Sequence, residues 1–412
     1  MTTVPPRSDH VPEQQQEALM MTYRLTDEQR RLKRAARDFA QEELLPIATA
    51  VERKGEVLSR DVLKMMAERG FMGLDIPEAY GGLGLDTLSC AIILEELSAV
   101  WFSAGSYPVT LLTGPLLFAG SDEQKRRYLP KVASGELITA FALTETEAGS
   151  DAASIETFAR RDGNEWVING RKIYITNGAR ADLIVLFART DKDAPRGGGI
   201  SLFLIEKGTP GFSIGQTYDT IAHTANPIAE LVFDDCRVPD SCLMGAPGES
   251  FRYIQVGFSK TRAIYGARCA GVAQGALDYA LTYMQTREQF GQPLASFQAL
   301  RFRAADLAAR IEAARQLSYH AVALAEDETP DAPTAASMAK LFASEVCTEV
   351  TQQAVQFLGG HGLTKDHPVE RFYRETKLFQ VGDGSSEMLR LLVSRHLNTQ
   401  AQAGMSARLA SD

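Results

Sequence analysis

The chain has 412 residues, 45% hydrophobic and 23% charged, which is typical of a globular protein with a large core and excludes a disordered or collagen-like chain. Lys and Arg number 43 against 52 Asp and Glu, a formal net charge of −9, which argues against a general nucleic-acid binder, because such proteins need a concentrated basic face. The five cysteines are widely spaced without a C-x-x-C pair, so we expect free thiols, a reducing compartment and a cytoplasmic protein.

The N-terminal part of the chain changes from a polar segment to a helical pattern. Residues 1–21 are rich in Pro, Gln and Glu and lack the basic and apolar regions of a signal peptide, so we expect a disordered tail. Thr26 precedes an acidic segment, as at a capped helix start, and Leu32 and Phe39 fall at helical spacing. We therefore expect a helical domain over residues 22–137. No apolar run approaches the roughly 20 residues of a membrane span.

The central segment, residues 138–247, is strand-like, and the chain then returns to helices. Short apolar runs such as 183–188 alternate with turn residues, and Asn169-Gly170 is typical of a hairpin turn. This texture predicts an antiparallel β-barrel or sandwich. From 248 to 400, apolar residues step by threes and fours, as in a helical bundle, and 401–412 is expected to be a tail. The predicted fold class is α+β, in the order α–β–α.

Generic functional motifs add little. The glycine cluster at 359–362 follows a helical segment, so it does not match the dinucleotide fingerprint, which follows a strand, and it is typical of a turn. The six histidines are scattered without metal-ligand spacing, and we expect no metal. The chain contains no Walker loop, H-E-x-x-H or G-x-S-x-G motif.

Several specific segments are more informative when they are considered together. They are F-A-L-T-E-T-E-A-G-S-D at 141–151, Y-I-T-N-G at 174–178, R-E-Q-F-G-Q-P-L at 287–294 with Phe297-Gln298, Q-F-L-G-G-H-G at 356–362, and V-G-D-G-S-S-E at 381–387. Each alone has an ordinary structural explanation. In this order and at these separations they resemble the acyl-CoA dehydrogenase flavoprotein family, over residues 25–397.

The resemblance implies an N-terminal helical domain, a central β-domain and a C-terminal four-helix bundle, assembled as a homodimer or homotetramer with bound FAD. It places Tyr174 against one face of the flavin, Thr176 near flavin N5, and Ser150 also against the pantetheine arm of the substrate. Stacking of a flat ring on an aromatic side chain is physically reasonable. The flavin-contacting residues implied in this part of the site are Phe141, Leu143, Thr144, Gly149, Ser150, Tyr174, Ile175, Thr176, Ser385 and Glu387.

A second set of positions matches residues that hold the pyrophosphate and adenosine of an FAD bound mainly by the neighbouring subunit. These are Arg287, Phe290, Gln298, Gln356 and Gly360. A guanidinium suits a bidentate pyrophosphate contact, and a glycine lets the backbone approach the ligand closely. The resemblance therefore implies that an intact flavin site needs at least a dimer.

The resemblance also points to the catalytic base. The family removes a proton from Cα of an acyl thioester, usually with a Glu, and Asp383 occupies that position. A carboxylate is retained, but it is one methylene shorter, so the acyl chain or the loop must lie closer. Some members place the base on an earlier helix, where this chain has Thr261, which is no base. Ser150, Arg262 and Gly384 match substrate-binding positions.

The implied function is FAD-dependent dehydrogenation of an acyl thioester, on CoA or an acyl carrier protein, to the enoyl thioester, with an electron-transfer flavoprotein as acceptor. A flavin oxidase or monooxygenase is the alternative, because nitroalkane oxidase is similar overall and also uses an Asp here. A DNA-binding flavoprotein is disfavoured by the charge of −9. Trp101, Phe102 and Tyr107 either shorten the acyl pocket or belong to the core.

Overall fold

The computed structural model describes residues 25–108 and 110–409, apart from the side chains of 110–112, 255–256 and 403–409. The tail expected over residues 1–21 lies outside these ranges. Among the described residues, no helix combines the length and the apolar character needed to cross a membrane.

The N-terminal part is helical, and capping side chains determine where its helices start. Thr26 and Gln29 form a reciprocal capping box, as do Ser121 and Gln124 at a later helix. A five-residue π-helical turn, Ala40–Leu44, follows the first helix. The helices are α1 (Asp27–Phe39), α2 (Leu45–Lys54), α3 (Arg60–Glu68), α4 (Thr87–Val100), α5 (Thr110–Ala119) and α6 (Asp122–Ala133).

The central part is an eight-stranded sheet in the order β6-β7-β3-β2-β4-β5-β8, with β1 paired to β4. Most pairs are antiparallel as expected, whereas β1–β4 and β2–β4 are parallel. The strands are β1 (Thr139–Ala142), β2 (Phe158–Asp162), β3 (Glu165–Thr176), β4 (Leu183–Arg189), β5 (Ile200–Glu206), β6 (Phe212–Tyr218), β7 (Ile228–Pro239) and β8 (Leu243–Met244).

The sheet is covered on both faces, which explains the continuous apolar run of β4. Val185 and Phe187 face a core that includes α5 and α6, whereas Ile184 and Leu186 face the opposite side. On that side the sheet packs on itself, since the Trp166 ring of β3 lies 5.4 Å from the Phe203 ring of β5, although two strands separate β3 from β5 in the sheet. The arrangement therefore has the two-layered character of a sandwich.

The predicted Asn169-Gly170 hairpin is wrong. Both residues lie inside β3, where the pairing with β7 shifts register between Ile168 and Gly170. Gly170 has a φ of +150°, and a Cβ there would lie 2.5 Å from Thr157 Oγ1. The glycine therefore allows close approach to the loop before β2 at an irregularity in the strand. The turn between β2 and β3 is made instead at Gly163, with φ +63°.

The C-terminal part consists of long helices and one small hairpin. Its main core joins helices through Val272, Ile311, Val350 and Phe372, as expected for a bundle. The last helix continues into the segment that was expected to be a tail. The elements are α7 (Phe251–Thr286), β9 (Glu288–Gln289), β10 (Gln292–Pro293), α8 (Gln298–Glu326), α9 (Ala332–Leu358), α10 (Val369–Val381) and α11 (Ser386–Leu409).

Candidate active site

Asp383 lies in the short turn between α10 and α11. Its φ is +53°, in the left-handed region, and the following Gly384 has a φ of +94°. Asp tolerates this region better than most residues, and glycine adopts it freely. A Cβ at Gly384 would lie 3.1 Å from a terminal nitrogen of Arg262. The Asp-Gly sequence therefore suits a tight turn that is packed against an arginine.

Two cations from neighbouring helices hold this turn by its backbone. Lys340 Nζ, on α9, donates to the carbonyl oxygens of Gly382 at 2.5 Å and Gly384 at 2.6 Å. Arg262 Nε, on α7, donates to the carbonyl of Asp383 at 3.1 Å. Three consecutive carbonyls are thus bound by two side chains. None of these three hydrogen bonds uses the Asp383 carboxyl group. Sequence reasoning missed Lys340, although a lysine in an Ala-rich helical stripe was a usable signal.

The electrostatics of Asp383 reflect opposing effects. Burial raises its pKa above the ordinary value, and the positive charges of Lys340, Arg262 and Arg268 oppose that rise. Burial in turn lowers the pKa of Arg262, and Asp383 opposes that change. A half-buried carboxyl group near cations can be ionised, and because its pKa is raised it can also accept a proton, as a general base must.

Thr261 stands at the alternative base position, and its hydroxyl forms hydrogen bonds within its own helix. It is buried, and its hydroxyl donates to the carbonyls of Gly257 and Phe258 at 3.3 and 3.4 Å. Such back-bonding within a helix is ordinary for threonine. Asp383 is therefore the better placed of the two candidate base positions.

An aromatic group packs behind the Asp383 turn. The Phe102 ring lies 4.5 Å from Phe379 and 5.9 Å from Tyr265, and the Tyr265 hydroxyl would lie 3.9 Å from a Cβ placed on Gly382. The other two aromatics expected in this region are structural. Trp101 is fully buried and donates to Glu52, and the Tyr107 hydroxyl donates to Asn177.

A buried ion pair joins the two segments of the β-domain expected to line the flavin. Lys172 Nζ donates to Glu145 Oε1 at 2.7 Å and to the carbonyl of Leu143 at 2.9 Å. Ile173 N donates to the carbonyl of Thr144 at 2.9 Å. The pKa of Glu145 lies below its ordinary value, because Lys172 and hydrogen-bond donors of Glu156 and Thr157 outweigh the effect of burial. Both Lys172 and Glu145 were missed as site residues in the sequence.

Several residues of the two segments joined by the Lys172–Glu145 pair are exposed to solvent. Tyr174 is 61% exposed with a φ of +56°, and its ring lies 4.8 Å from that of Tyr218. A non-glycine residue at positive φ is uncommon and is often found at binding sites. A Cβ at Gly149 would meet nothing within 4 Å, and Ser150 is exposed. This surface, formed by residues 141–150 and 174–176, is called the cradle below.

The cradle connects to the Asp383 turn through ring contacts. The Phe141 ring lies 6.4 Å from that of Phe258, and the Arg262 guanidinium lies over the Phe258 ring at 5.0 Å. Arg262 in turn binds the Asp383 carbonyl. Leu143 and Ile175 are buried beneath the cradle, and Thr144 and Thr176 are half-buried. A series of side-chain contacts thus links the cradle to the turn that carries Asp383.

Two residues that follow Asp383 differ in their surroundings. Ser385 Oγ accepts a hydrogen bond from Met388 N at 3.4 Å, near the start of α11. The Glu387 side chain is 81% exposed, and Arg390 lies 4.0 Å from it. Ser385 is thus engaged with its own helix, and Glu387 has room to contact a ligand.

The remaining predicted flavin contacts form a separate exposed surface on the helical bundle. Phe290, on the turn of the β9–β10 hairpin, is 94% exposed with a φ of +54°. Within the described residues, no hydrogen bond, ion pair or ring contact joins this surface to the cradle. Its predicted residues are Arg287, Phe290, Gln298, Gln356 and Gly360, all of them exposed.

Comparison with known proteins gives a consistent result along the chain. Residues 26–136 match the model of the acyl-CoA dehydrogenase N-terminal domain, 140–236 that of the middle domain and 248–398 that of the C-terminal domain. An acyl-CoA dehydrogenase of Bacillus subtilis is 39% identical over 376 residues, which cover 90% of this chain and 98% of the relative. The mitochondrial short-chain specific acyl-CoA dehydrogenase of Bos taurus is 41% identical over 369 residues, 89% of each chain.

The fold agrees with a solved structure. Butyryl-CoA dehydrogenase from Megasphaera elsdenii superimposes with a TM-score of 0.87 at 34% identity, and the match covers 92% of this chain and all of that chain. These similarities extend over all three parts of the chain rather than over one of them.

Proposed function

The chain belongs to the acyl-CoA dehydrogenase family, whose members oxidise acyl thioesters with a flavin, and from this premise we propose that Asp383 is its catalytic base and FAD its cofactor. The observation that carries the proposal is the Asp383 turn, whose backbone is bound by Lys340 and Arg262. Arg262 also links this turn to the cradle through the Phe258 ring. These contacts fix the backbone of residue 383, and none of them uses the carboxyl group that would accept the proton.

In the proposed reaction the Asp383 carboxylate takes a proton from Cα of the acyl thioester. When bound, the flavin supplies the acceptor for the hydride that leaves Cβ. The electron pair of the Cα–H bond forms the Cα=Cβ double bond, and the proton remains on the Asp383 carboxyl until solvent removes it. Because only ionised Asp383 can accept a proton, and burial raises its pKa, the rate should rise with pH through that raised pKa.

The residues of the cradle fit a flavin. Tyr174 offers an exposed ring, and Thr144 and Thr176 offer hydroxyl groups at the same surface. The open space at Gly149 and the exposed Ser150 leave room for the ligand. A flat, polar-edged ring system stacks well on such a surface. Leu143, Ile175, Ser385 and Glu387 complete the proposed contacts.

We propose a homodimer or homotetramer in which Arg287, Phe290, Gln298, Gln356 and Gly360 reach the FAD of a second copy. Support comes from the exposure of this surface and from its separation from the cradle within one chain. Phe290, 94% exposed, would be covered by such a contact. The five free cysteines favour a reducing, cytoplasmic location. The family resemblance favours an electron-transfer flavoprotein as the electron acceptor.

Replacing Arg287 tests whether the cofactor is FAD. We expect Arg287→Ala to weaken FAD binding by about 10- to 100-fold, because a charge-assisted hydrogen bond to the pyrophosphate is lost. Binding of FMN, which has no pyrophosphate, should stay unchanged, as measured by fluorescence titration of apoprotein. Arg301→Ala, an exposed arginine on α8, is the matched control. Equal losses for FAD and FMN would contradict the role of Arg287.

Replacing Thr261 tests the alternative base position. We expect Thr261→Ala to reduce the rate of anaerobic flavin bleaching by an acyl thioester by no more than a few-fold. The threonine hydroxyl donates to the carbonyls of Gly257 and Phe258 in its own helix. Such bonds contribute little to stability, and the hydroxyl has no role in the proposed reaction. A loss of two orders of magnitude with flavin still bound would instead place Thr261 in the chemistry.

We propose a short acyl-CoA as the substrate, with Ser150, Arg262 and Gly384 close to it. Phe102, Tyr265 and Phe379 pack against one another behind the Asp383 turn, and we propose that they limit the length of the acyl chain. The test is anaerobic mixing of the purified protein with a panel of acyl-CoA and acyl-carrier-protein thioesters while flavin absorbance is followed. We expect short acyl-CoA to bleach the flavin and little peroxide to form in air. Absence of bleaching by every thioester would contradict dehydrogenation, and faster bleaching by long acyl chains would contradict the short substrate. Stoichiometric peroxide would indicate an oxidase that passes its electrons to oxygen.

A further inference from the structure

Lys340 is buried in an unusual way. Its side chain is completely inaccessible, yet no carboxylate of a described residue lies within ion-pair distance of its ammonium. Both hydrogen-bond acceptors of Nζ are backbone carbonyls, those of Gly382 and Gly384. Burying an ammonium without a paired carboxylate is strongly unfavourable. Stability alone would therefore favour an apolar residue at this position of α9, and the lysine calls for another explanation.

The two carbonyls lie on either side of Asp383. With Arg262 Nε on the Asp383 carbonyl itself, every carbonyl from 382 to 384 is bound by a cation, and the left-handed backbone of Asp383 is held in place. An aspartate has one methylene fewer than a glutamate, so the reach of its carboxylate depends on where the backbone is held. An error of about 1 Å can lower a rate about 100-fold.

We infer that Lys340 is a positioning residue for the proposed base, which fixes the Asp383 backbone and stabilises the ionised carboxylate. The inference rests on the proposed role of Asp383. Lys340 is the buried cation that α9 contributes, and α7 contributes Arg262 and Arg268. The other titratable groups of α7 near Asp383 are Tyr265 and Cys269. Burial raises their pKa values, that of Cys269 to about 12, so both stay neutral.

Hydrogen exchange from acetyl-CoA separates proton removal from the redox reaction. Acetyl-CoA has hydrogens on Cα but no Cβ, so it can lose a proton to a base and cannot be dehydrogenated. Exchange of these hydrogens with solvent deuterium, measured by mass spectrometry as a function of pH, gives both a rate and a midpoint pH for the base. The flavin content and the melting temperature of each variant are measured in parallel.

We expect Lys340→Met to slow exchange about 100-fold at neutral pH and to move the midpoint to higher pH. The midpoint should rise because removal of a positive charge raises the pKa of a nearby carboxyl group, so that its ionisation needs a higher pH. Lys340→Gln keeps N–H donors and loses the charge, so it should also move the midpoint upward, and it serves if the Met variant does not fold. Lys260→Met, a partly exposed lysine of α7, is the matched control.

A loss of rate at an unchanged midpoint in both Lys340 variants would indicate a merely structural role and overturn the inference. Wild-type rates and midpoints in those variants would also overturn it. Absence of exchange in the wild type would instead overturn the proposed base, and this inference with it. The wild-type protein and the Lys340 variants therefore distinguish the two failures.

Discussion

Asp383→Asn is expected to slow deuterium exchange of acetyl-CoA by about 10²- to 10⁴-fold, the usual contribution of a general base, with the flavin still bound. Asparagine has the shape of aspartate and tolerates the left-handed backbone, φ +53°, that residue 383 adopts. The amide cannot accept the proton. Because the cradle is built from other residues, the loss should be confined to proton removal.

Glu375→Gln is the matched control for this variant. Glu375 lies on α10 two helical turns before Asp383, and it is also a buried acid. Burial raises its pKa to about 8, with Glu52 adding to the rise, so it is mainly protonated at neutral pH. We expect the Gln variant to exchange at the wild-type rate. Exchange that persists in Asp383→Asn but is lost in Glu375→Gln would identify Glu375, rather than Asp383, as the base.

Lys172→Met is expected to lower the free energy of unfolding by about 3–5 kcal/mol, because it leaves the Glu145 carboxylate buried without its partner. Lys172 is fully buried, and burial lowers its pKa to about 8, an effect that Glu145 opposes. The same ammonium binds the Leu143 carbonyl, so residues 143–145 of the cradle should become less ordered and the flavin content should fall. Urea denaturation and flavin absorbance measure the two effects.

Adding Glu145→Gln to Lys172→Met should recover part of the stability, because the unpaired charge is then removed. Arg171→Met is the control on the same strand. Its side chain is 68% exposed and forms a surface pair with Glu230, which should contribute no more than about 1 kcal/mol. A Lys172 effect as small as that of Arg171 would indicate that the buried pair does not stabilise the cradle.

The fold was predicted best where local chemistry determines it. The cap expected at Thr26 marks a helix start that the structure contains, because a cap involves residues only three positions apart. The Asn169-Gly170 hairpin failed for the opposite reason. Gly170 is required by a close approach to Thr157, thirteen residues earlier in the chain, and turn propensity carries no information about such a contact. The parallel β1–β4 pairing is likewise non-local.

The same distinction applies to the site. The position of Asp383 followed from a motif, since the residues around it are contiguous in sequence. Arg262 was also predicted from the resemblance, as a substrate-binding position, but Lys340 was not. The contacts of the two with the turn are non-local, because they lie 121 and 42 positions from the nearest carbonyls that they bind. A lysine in an apolar stripe signals only that something polar must meet it inside the protein. Which backbone groups it meets depends on how α7, α9 and α10 pack.

The central claim is that this chain removes hydrogen from neighbouring carbons of an acyl thioester, with Asp383 taking the proton. Its most direct test is anaerobic mixing of butyryl-CoA with the wild-type and Asp383→Asn holoproteins, with mass-spectrometric identification of the product. We predict enoyl-CoA in amounts matching the bleached flavin in the wild type, and product formation and bleaching that are about 10²- to 10⁴-fold slower in the variant. Enoyl-CoA formed at comparable rates by both proteins would contradict the account.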